Sequence, residues 1–222
     1  PILKEKNIFG FFYIPTGHYK NKKLLDVHRI HFLLAKCDPD TLLQHVHRNT
    51  QSSMLQEESV KDFSKNLYDN QKNENSTLEF KKLMNYYLKY EYREQILDFL
   101  CRKYLPEDEI YDTLYLSINE LKEMENEGNI VGAHTDNHKV LSRLSPVEQR
   151  VEIENSFLFL EKFLKMDMRS FCYPYGTEQT FNSDTLEILT NLNVHHAFMF
   201  NNSESIDKVD KYRLSRIDCN RF

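Results

Sequence analysis

Two histidines four positions apart are the residues in this sequence most able to do chemistry. His134 and His138 belong to the segment His-Thr-Asp-Asn-His, which directly follows the short apolar run 130–133. Two neutral imidazoles at this spacing can bind one metal ion through their ring nitrogens, at about 2.0–2.1 Å for zinc. The pair therefore predicts a metal site, although a structural or incidental pair of histidines remains the alternative on spacing alone.

The helical zinc motif H-E-x-x-H is a weaker interpretation of this pair. That motif has a glutamate beside the first histidine as general base, whereas Thr135 stands there in this sequence. The next two residues, Asp136 and Asn137, favour a turn over a helix. We therefore expect both histidines in a loop at the C-terminal end of a strand, where α/β sheets and β/α barrels carry their sites.

The elements that must position this loop alternate between strands and helices. Ser117 and Ser145 each begin an S-x-x-E capping box that predicts a helix start. The helix after Ser145 has an expected buried stripe at helical spacing: Val147, Val151, Phe157, Leu160 and Leu164. Short apolar runs predict strands at residues 8–14, 130–133, 170–173 and 194–200. This alternation predicts an α/β sheet or barrel.

Residues 20–110 interrupt that alternation. Apolar side chains recur there at helical spacing, and the polar stretch 51–75 between them predicts a solvated loop. We interpret 20–110 as a helical insertion, with 1–19 and 111–222 as the two parts of one α/β domain. A less favoured hypothesis makes residues 20–105 an interaction module for which the α/β part is only a platform.

Composition excludes several classes of protein. The chain has 222 residues and a formal net charge of −5 without a basic stripe, which argues against nucleic-acid binding. No apolar run approaches the roughly 18 residues that a membrane-spanning helix needs. The four cysteines form no C-x-x-C pair, so we expect a reducing, cytoplasmic location. The sequence leaves the oligomeric state open.

The histidine segment resembles the second motif, H-[ST]-x-x-H, of the NodB-type polysaccharide deacetylases (carbohydrate esterase family 4). Residues 171–176, Phe-Cys-Tyr-Pro-Tyr-Gly, resemble the third motif of that family, R-x-P-Y-G, and residues 8–16 resemble its second strand. The resemblance covers residues 1–17 and about 111–218 in the expected order. It implies a distorted (β/α) barrel of NodB-homology type, here with an α-helical insertion.

The resemblance also implies a reaction. The family uses a divalent metal, for which Zn²⁺ is our first expectation, to remove N-acetyl groups from an amino sugar of a bacterial surface polysaccharide or its precursor. His134 and His138 would be metal ligands, and the Thr135 hydroxyl would orient one of them. Pro174 and Tyr175 would contact the carbohydrate substrate, and the backbone N–H of Tyr175 would have a catalytic role as an oxyanion donor.

Two departures from the family pattern favour a competing hypothesis. The first motif, T-F-D-D, which supplies the general base and a third ligand, is absent, and Cys172 stands where the third motif has arginine. No base is evident near Cys172, so we interpret it as a buried strand residue and not a nucleophile. Because residues 3–6 read as the tail of a helix already under way at Pro1, we expect residues upstream that carry the acidic motif. The alternative is a catalytically inactive, deacetylase-like domain that binds carbohydrate or acts as a scaffold.

Overall fold

The chain divides into two compact units, which are defined by contacts within each. The computed structural model describes residues 2–56, 74–200 and 210–216. Residues 1–22 and 115–222 form one unit, here called the α/β unit, and residues 23–114 form the other, the helical unit. Most of the predicted solvated loop, 51–75, lies outside the described residues. The insertion limits at 20 and 110 stay a prediction.

A parallel five-stranded sheet forms the centre of the α/β unit. Its strands are β1 Phe11–Ile14, β2 Ile130–Ala133, β3 Ser170–Cys172, β4 His196–Phe200 and β5 Leu214–Arg216. Their order in the sheet equals their order in the sequence, and all four pairings are parallel. Sequential parallel strands are typical of a (β/α) barrel and not of a doubly wound sheet. The predicted α/β fold of (β/α)-barrel type is confirmed.

The α-helices of the described residues lie before, between and after these strands. In chain order they are α1 Ile2–Glu5, α2 Gly17–Asn21, α3 Asp26–Lys36, α4 Pro39–Asn49, α5 Asn75–Lys82, α6 Tyr90–Tyr104, α7 Glu107–Leu114, α8 Ile118–Asn126, α9 Pro146–Phe163 and α10 Ser183–Asn191. Both predicted capping boxes are present, at Ser117 and Ser145. Within the described residues, no helix has the length and apolarity that crossing a membrane requires.

Strand β1 is shorter than the apolar run that predicted it. The backbone N–H of Ile8 donates to the carbonyl of Leu3 at 2.9 Å and so closes the C-terminal turn of α1. Ile8 and Phe9 are therefore exposed residues of the helix end, 57% and 59% accessible, and pairing with β2 begins only at Phe11.

The predicted buried stripe of α9 was wrong in its first two turns. Val147 and Val151 are 73% and 51% exposed, whereas Gln149 and Glu152 are buried. Further along, Phe157 is buried as predicted, and its ring lies 6.2 Å from that of Phe171 in β3. The first turns of α9 face hydrogen-bonding groups instead of the apolar sheet, so polar side chains occupy the inner positions there.

The helical unit has its own core and its own ionic network. The fully buried apolar side chains that α3, α4, α5 and α6 contribute to this core include Leu33, Leu42, Val46, Phe80, Leu97 and Leu100. Arg29 on α3 is only 2% exposed. Its Nε and Nη2 donate to the carboxylate of Glu107 at 2.6 and 2.9 Å, and its Nη1 donates to Asp98 at 2.8 Å. One guanidinium therefore joins α3, α6 and α7.

Removal of this guanidinium should destabilise the helical unit. Breaking a buried ion pair by deleting one partner costs about 3–5 kcal/mol, and the carboxylates of Asp98 and Glu107 are partly solvated. We expect Arg29→Ala to lower the free energy of unfolding by about 3 kcal/mol, measured by urea denaturation. The exposed Arg102 is the control, and Arg102→Ala should cost less than about 0.5 kcal/mol. Equal effects of the two variants would contradict this account.

Candidate active site

The structure brings three of the sequence-predicted site residues together at the C-terminal edge of the sheet. His134 follows β2 directly, and its ring centroid lies 4.7 Å from that of His138, with the two rings nearly perpendicular. The ring of Tyr175, in the loop after β3, lies 5.1 Å from that of His138. All three side chains are half-buried. Two imidazoles this close can both reach one ion, since each Zn–N bond is about 2.0–2.1 Å.

A hydrogen bond from His134 to β3 determines which of its nitrogens can bind a ligand. Nδ1 of His134 lies 2.7 Å from the carbonyl oxygen of Cys172. A carbonyl can only accept, so Nδ1 carries the proton, and in the neutral ring Nε2 has the lone pair. Metal-binding histidines typically donate their second ring N–H to a carbonyl or carboxylate in this way.

The loop between the histidines has an unusual backbone. Thr135 and His138 adopt positive φ angles of 64° and 55°, a region that β-branched residues in particular avoid. The Thr135 hydroxyl accepts a hydrogen bond from the backbone N–H of His138 at 3.0 Å. Thr135 is fully buried. Its hydroxyl thus holds the backbone of His138, a contact with the main chain and not with the imidazole.

The carboxylate of Asp136 ties this loop to the residues after β1. Its Oδ1 accepts from the Thr16 hydroxyl at 2.7 Å, and Lys20 Nζ donates to both of its oxygens at 3.0 and 2.9 Å. The backbone N–H of Gly17 donates to the Asp136 carbonyl at 2.7 Å. A Cβ on Gly17 would overlap the Asn137 side chain, so only glycine allows this approach. Sequence reasoning missed Thr16 and Lys20, because no local pattern pairs them with Asp136, which lies more than 100 positions further along the chain.

The Pro-Tyr-Gly segment forms a three-residue turn. The backbone N–H of Gly176 donates to the carbonyl of Pro174 at 2.7 Å, and Tyr175 between them has a φ of 62°. Gly176 itself has a φ of 77°, and its carbonyl accepts from the N–H of Phe200 in β4 at 2.6 Å. Pro174 is buried, whereas Tyr175 is half-buried beside His138. The turn therefore presents Tyr175 towards the histidines, and Pro174 supports it from within.

A hydrogen-bonded row of side chains crosses the sheet below the site. The hydroxyl groups of Tyr13 in β1 and Ser170 in β3 are 2.6 Å apart, and Nε2 of His196 in β4 lies 2.8 Å from the Ser170 hydroxyl. Burial raises the pKa of Tyr13 and lowers the pKa of His196. The His196 ring thus has its hydrogen-bond partner within the sheet.

The histidine pair fits part of a metal's coordination shell. Imidazole nitrogens suit zinc, and the donation from His134 to Cys172 leaves the other ring nitrogen for a ligand. In the described part of the chain, no group of three or more His, Cys, Asp or Glu side chains could hold a metal. The pair would therefore supply two ligands, and the remaining positions would fall to water, substrate or groups outside the described residues.

Comparison with known proteins agrees with this geometry. Residues 91–197, just under half of the chain, match the family model of the polysaccharide deacetylases. This part of the chain is similar to the polysaccharide deacetylases. The match includes both histidines and the Pro-Tyr-Gly turn. A search of the curated proteins found no match.

Three solved structures resemble this chain over about half of its length. They are a Streptococcus pyogenes deacetylase, PplD, in complex with acetate (28% identity, TM-score 0.42), the BpsB deacetylase domain from Bordetella bronchiseptica (16%, 0.42) and a de-N-acetylase from Aggregatibacter actinomycetemcomitans (16%, 0.40). The matches cover 49–51% of this chain. They span 47–50% of the three solved chains, about half their length.

Substitution of Gly176 should disturb the turn that carries Tyr175. A Cβ at this position would lie 2.8 Å from the backbone nitrogen of Phe200 and would also strain the positive φ. We expect Gly176→Ala to lower the free energy of unfolding by about 1–3 kcal/mol, measured by chemical denaturation. Gly128 also has a positive φ, of 86°, but open space around it, so Gly128→Ala should cost less. A larger loss of stability in Gly128→Ala than in Gly176→Ala would contradict the close approach of β4 to the turn.

The Cys172 thiol should be unreactive in the folded protein. Cys172 is 1% exposed, and burial raises the pKa of its thiol to about 11, so at pH 8 only about one molecule in a thousand carries the reactive thiolate. We expect iodoacetamide to alkylate the half-buried Cys37 well before Cys172, as followed by peptide mass spectrometry. Rapid labelling of Cys172 at pH 8 would instead indicate an accessible, activated nucleophile.

Proposed function

We propose that this chain is the deacetylase part of a metal-dependent hydrolase that removes N-acetyl groups from an amino sugar of a bacterial surface polysaccharide or its precursor. The single observation that carries the proposal is the convergence of His134, His138 and Tyr175 at the C-terminal edge of a parallel sheet. This convergence falls within the residues that match the deacetylase family. The match to the polysaccharide deacetylase model supports deacetylation, and the acyl group, the sugar and the metal are part of the proposal.

The two histidines have the role of metal ligands in this proposal, with Zn²⁺ as the expected ion. Such an ion would supply Lewis-acid chemistry at the acyl carbonyl and would activate a water for attack. His134 would hold the ion through Nε2, because its Nδ1–H donates to the Cys172 carbonyl. Thr135 holds the main chain of His138 by accepting its N–H, which sets the position from which that ring reaches the site.

Tyr175 has the role of substrate contact and oxyanion donor. Amide hydrolysis develops negative charge on the carbonyl oxygen, which preorganised N–H donors stabilise. The positive φ of Tyr175 and the tight turn from Pro174 to Gly176 give this backbone a fixed direction. The half-buried Tyr175 ring lies beside His138, where a sugar ring can pack against it. Pro174 is buried in this turn, and its contact with the substrate stays a prediction.

A second candidate function is carbohydrate binding without catalysis. Two observations favour it: the described residues offer two metal ligands and no third, and the third motif has Cys172 in place of arginine. In this case the residues at the C-terminal edge of the sheet would bind the same sugars, but the protein would not release acetate from them. The two candidates therefore differ in a single measurable product.

Loss of either histidine should abolish deacetylation. Incubation of a chain that includes its upstream sequence with Zn²⁺ and oligomers of N-acetylglucosamine should release acetate, measured by a coupled enzymatic assay. We expect His134→Ala and His138→Ala each to reduce the rate at least 100-fold, because each removes one of two protein ligands. His195→Ala is the control, since His195 is exposed and should leave the rate unchanged.

The same assay distinguishes the candidates. Unchanged acetate release by both histidine variants would show that the ligand assignment is wrong. Binding of the oligomers by calorimetry, without acetate release by a chain that includes its upstream sequence, would favour the non-catalytic domain.

A further inference from the structure

A buried carboxylate on α9 contacts the loop between the two histidines. Glu152 is 5% exposed. Its Oε2 accepts from the backbone N–H of Asn137 at 2.7 Å, and its Oε1 accepts from the Asn137 side-chain amide at 2.8 Å. Lys139 Nζ lies 3.7 Å from the same carboxylate. Both oxygens of Glu152 are thus directed at the residue that immediately precedes His138.

This contact completes a clamp on the loop. On the β1 side, Lys20 and Thr16 hold the carboxylate of Asp136. On the α9 side, Glu152 holds both the main chain and the side chain of Asn137. The two clamped residues are consecutive, and the strained backbone of His138 follows them. The direction of the His138 ring therefore depends on hydrogen bonds from two separate elements.

The chemistry of the clamp indicates a role in orientation. Burial of a carboxylate carries a large desolvation cost, and apolar side chains of similar volume often pack a helix at equal or better stability. α9 nevertheless has Glu152 on its inner face while Val147 and Val151 are exposed. An apolar residue would offer no acceptor to the Asn137 N–H. What Glu152 supplies is a fixed bidentate acceptor for the loop.

We propose that Glu152 is a positioning residue of the metal site, which acts through Asn137 to hold His138 beside His134. The inference rests on the proposed function, because it assigns the two imidazoles to one ion. Residues that orient metal ligands typically alter metal affinity about 10- to 100-fold when they are changed. Glu152 would do so without touching metal or substrate.

The test exchanges the two partners of the contact. In Glu152→Gln, the new amide faces the amide of Asn137, and two donors oppose each other. Adding Asn137→Asp restores a donor–acceptor pair, so the double variant should recover what the single variant loses. Glu154→Gln is the matched control, because it makes the same charge change on the same helix, and two residues along a helix point to nearly opposite faces. Thermal unfolding of each variant reports whether it folds.

Metal affinity is the first readout. Competition with a chromophoric chelator should show that Glu152→Gln weakens Zn²⁺ binding about 10- to 100-fold. The visible absorption of bound Co²⁺ should also change in Glu152→Gln. In the double variant, the Zn²⁺ affinity and the Co²⁺ absorption should both return to those of the wild type. Wild-type affinity and an unchanged Co²⁺ spectrum in Glu152→Gln would overturn the proposal, as would an equal loss in Glu154→Gln. If Glu152→Gln does not fold, the double variant must bind Zn²⁺ as the wild type does, or the proposal fails.

The metal-free protein provides the second readout, which separates this inference from the proposed function. NMR of the imidazole signals and hydrogen exchange at the Asn137 amide should show a loosened loop in Glu152→Gln and recovery in the double variant. If the wild type binds neither Zn²⁺ nor Co²⁺, the metal assignment fails, and this readout alone decides whether Glu152 orients His138. Identical ring signals and amide protection in Glu152→Gln and the wild type would overturn that role.

Discussion

The geometry of the candidate site depends on an energetically unfavourable backbone conformation. Thr135, His138 and Tyr175 all have positive φ angles, and none is glycine. Each such residue costs on the order of 1–3 kcal/mol and persists only where its surroundings determine it. Without these positive φ angles, nothing in the loop would direct the two imidazoles towards each other. The hydrogen bonds around these three residues are therefore what makes the pair a site.

Two buried carboxylates, those of Asp136 and Glu152, hold the residues between Thr135 and His138. Asp136 and Glu152 are 8% and 5% exposed, and each carboxylate accepts two or more hydrogen bonds. Charge-assisted hydrogen bonds are stronger than neutral ones, and a buried carboxylate with fixed partners has little freedom to move. The loop is thus held rigidly enough to tolerate its strained residues, and the sheet supplies the carbonyl that orients His134.

The parallel sheet explains why these groups meet. Parallel strands in sequential order place their C-terminal ends on one edge, and the histidine loop and the Pro-Tyr-Gly turn follow β2 and β3 there. The hydrogen bond from Phe200 to Gly176 ties the turn to β4 as well. The helical unit, in contrast, is stabilised by its own apolar core and by the buried guanidinium of Arg29.

Local pattern was enough to predict the α/β class, the two capping boxes and the loop location of His134 and His138, because propensity, periodicity and turn chemistry act over a few residues. The inner face of α9 was not predictable in the same way. Glu152 lies there, and Val147 does not, because the partner of that face is a polar loop that folding brings near. Lys20 and Thr16 likewise meet Asp136 across more than 100 residues of chain. The sequence alone thus determined which residues could bind a metal or take part in catalysis. Their orientation was decided by tertiary hydrogen bonds between segments that no local rule connects.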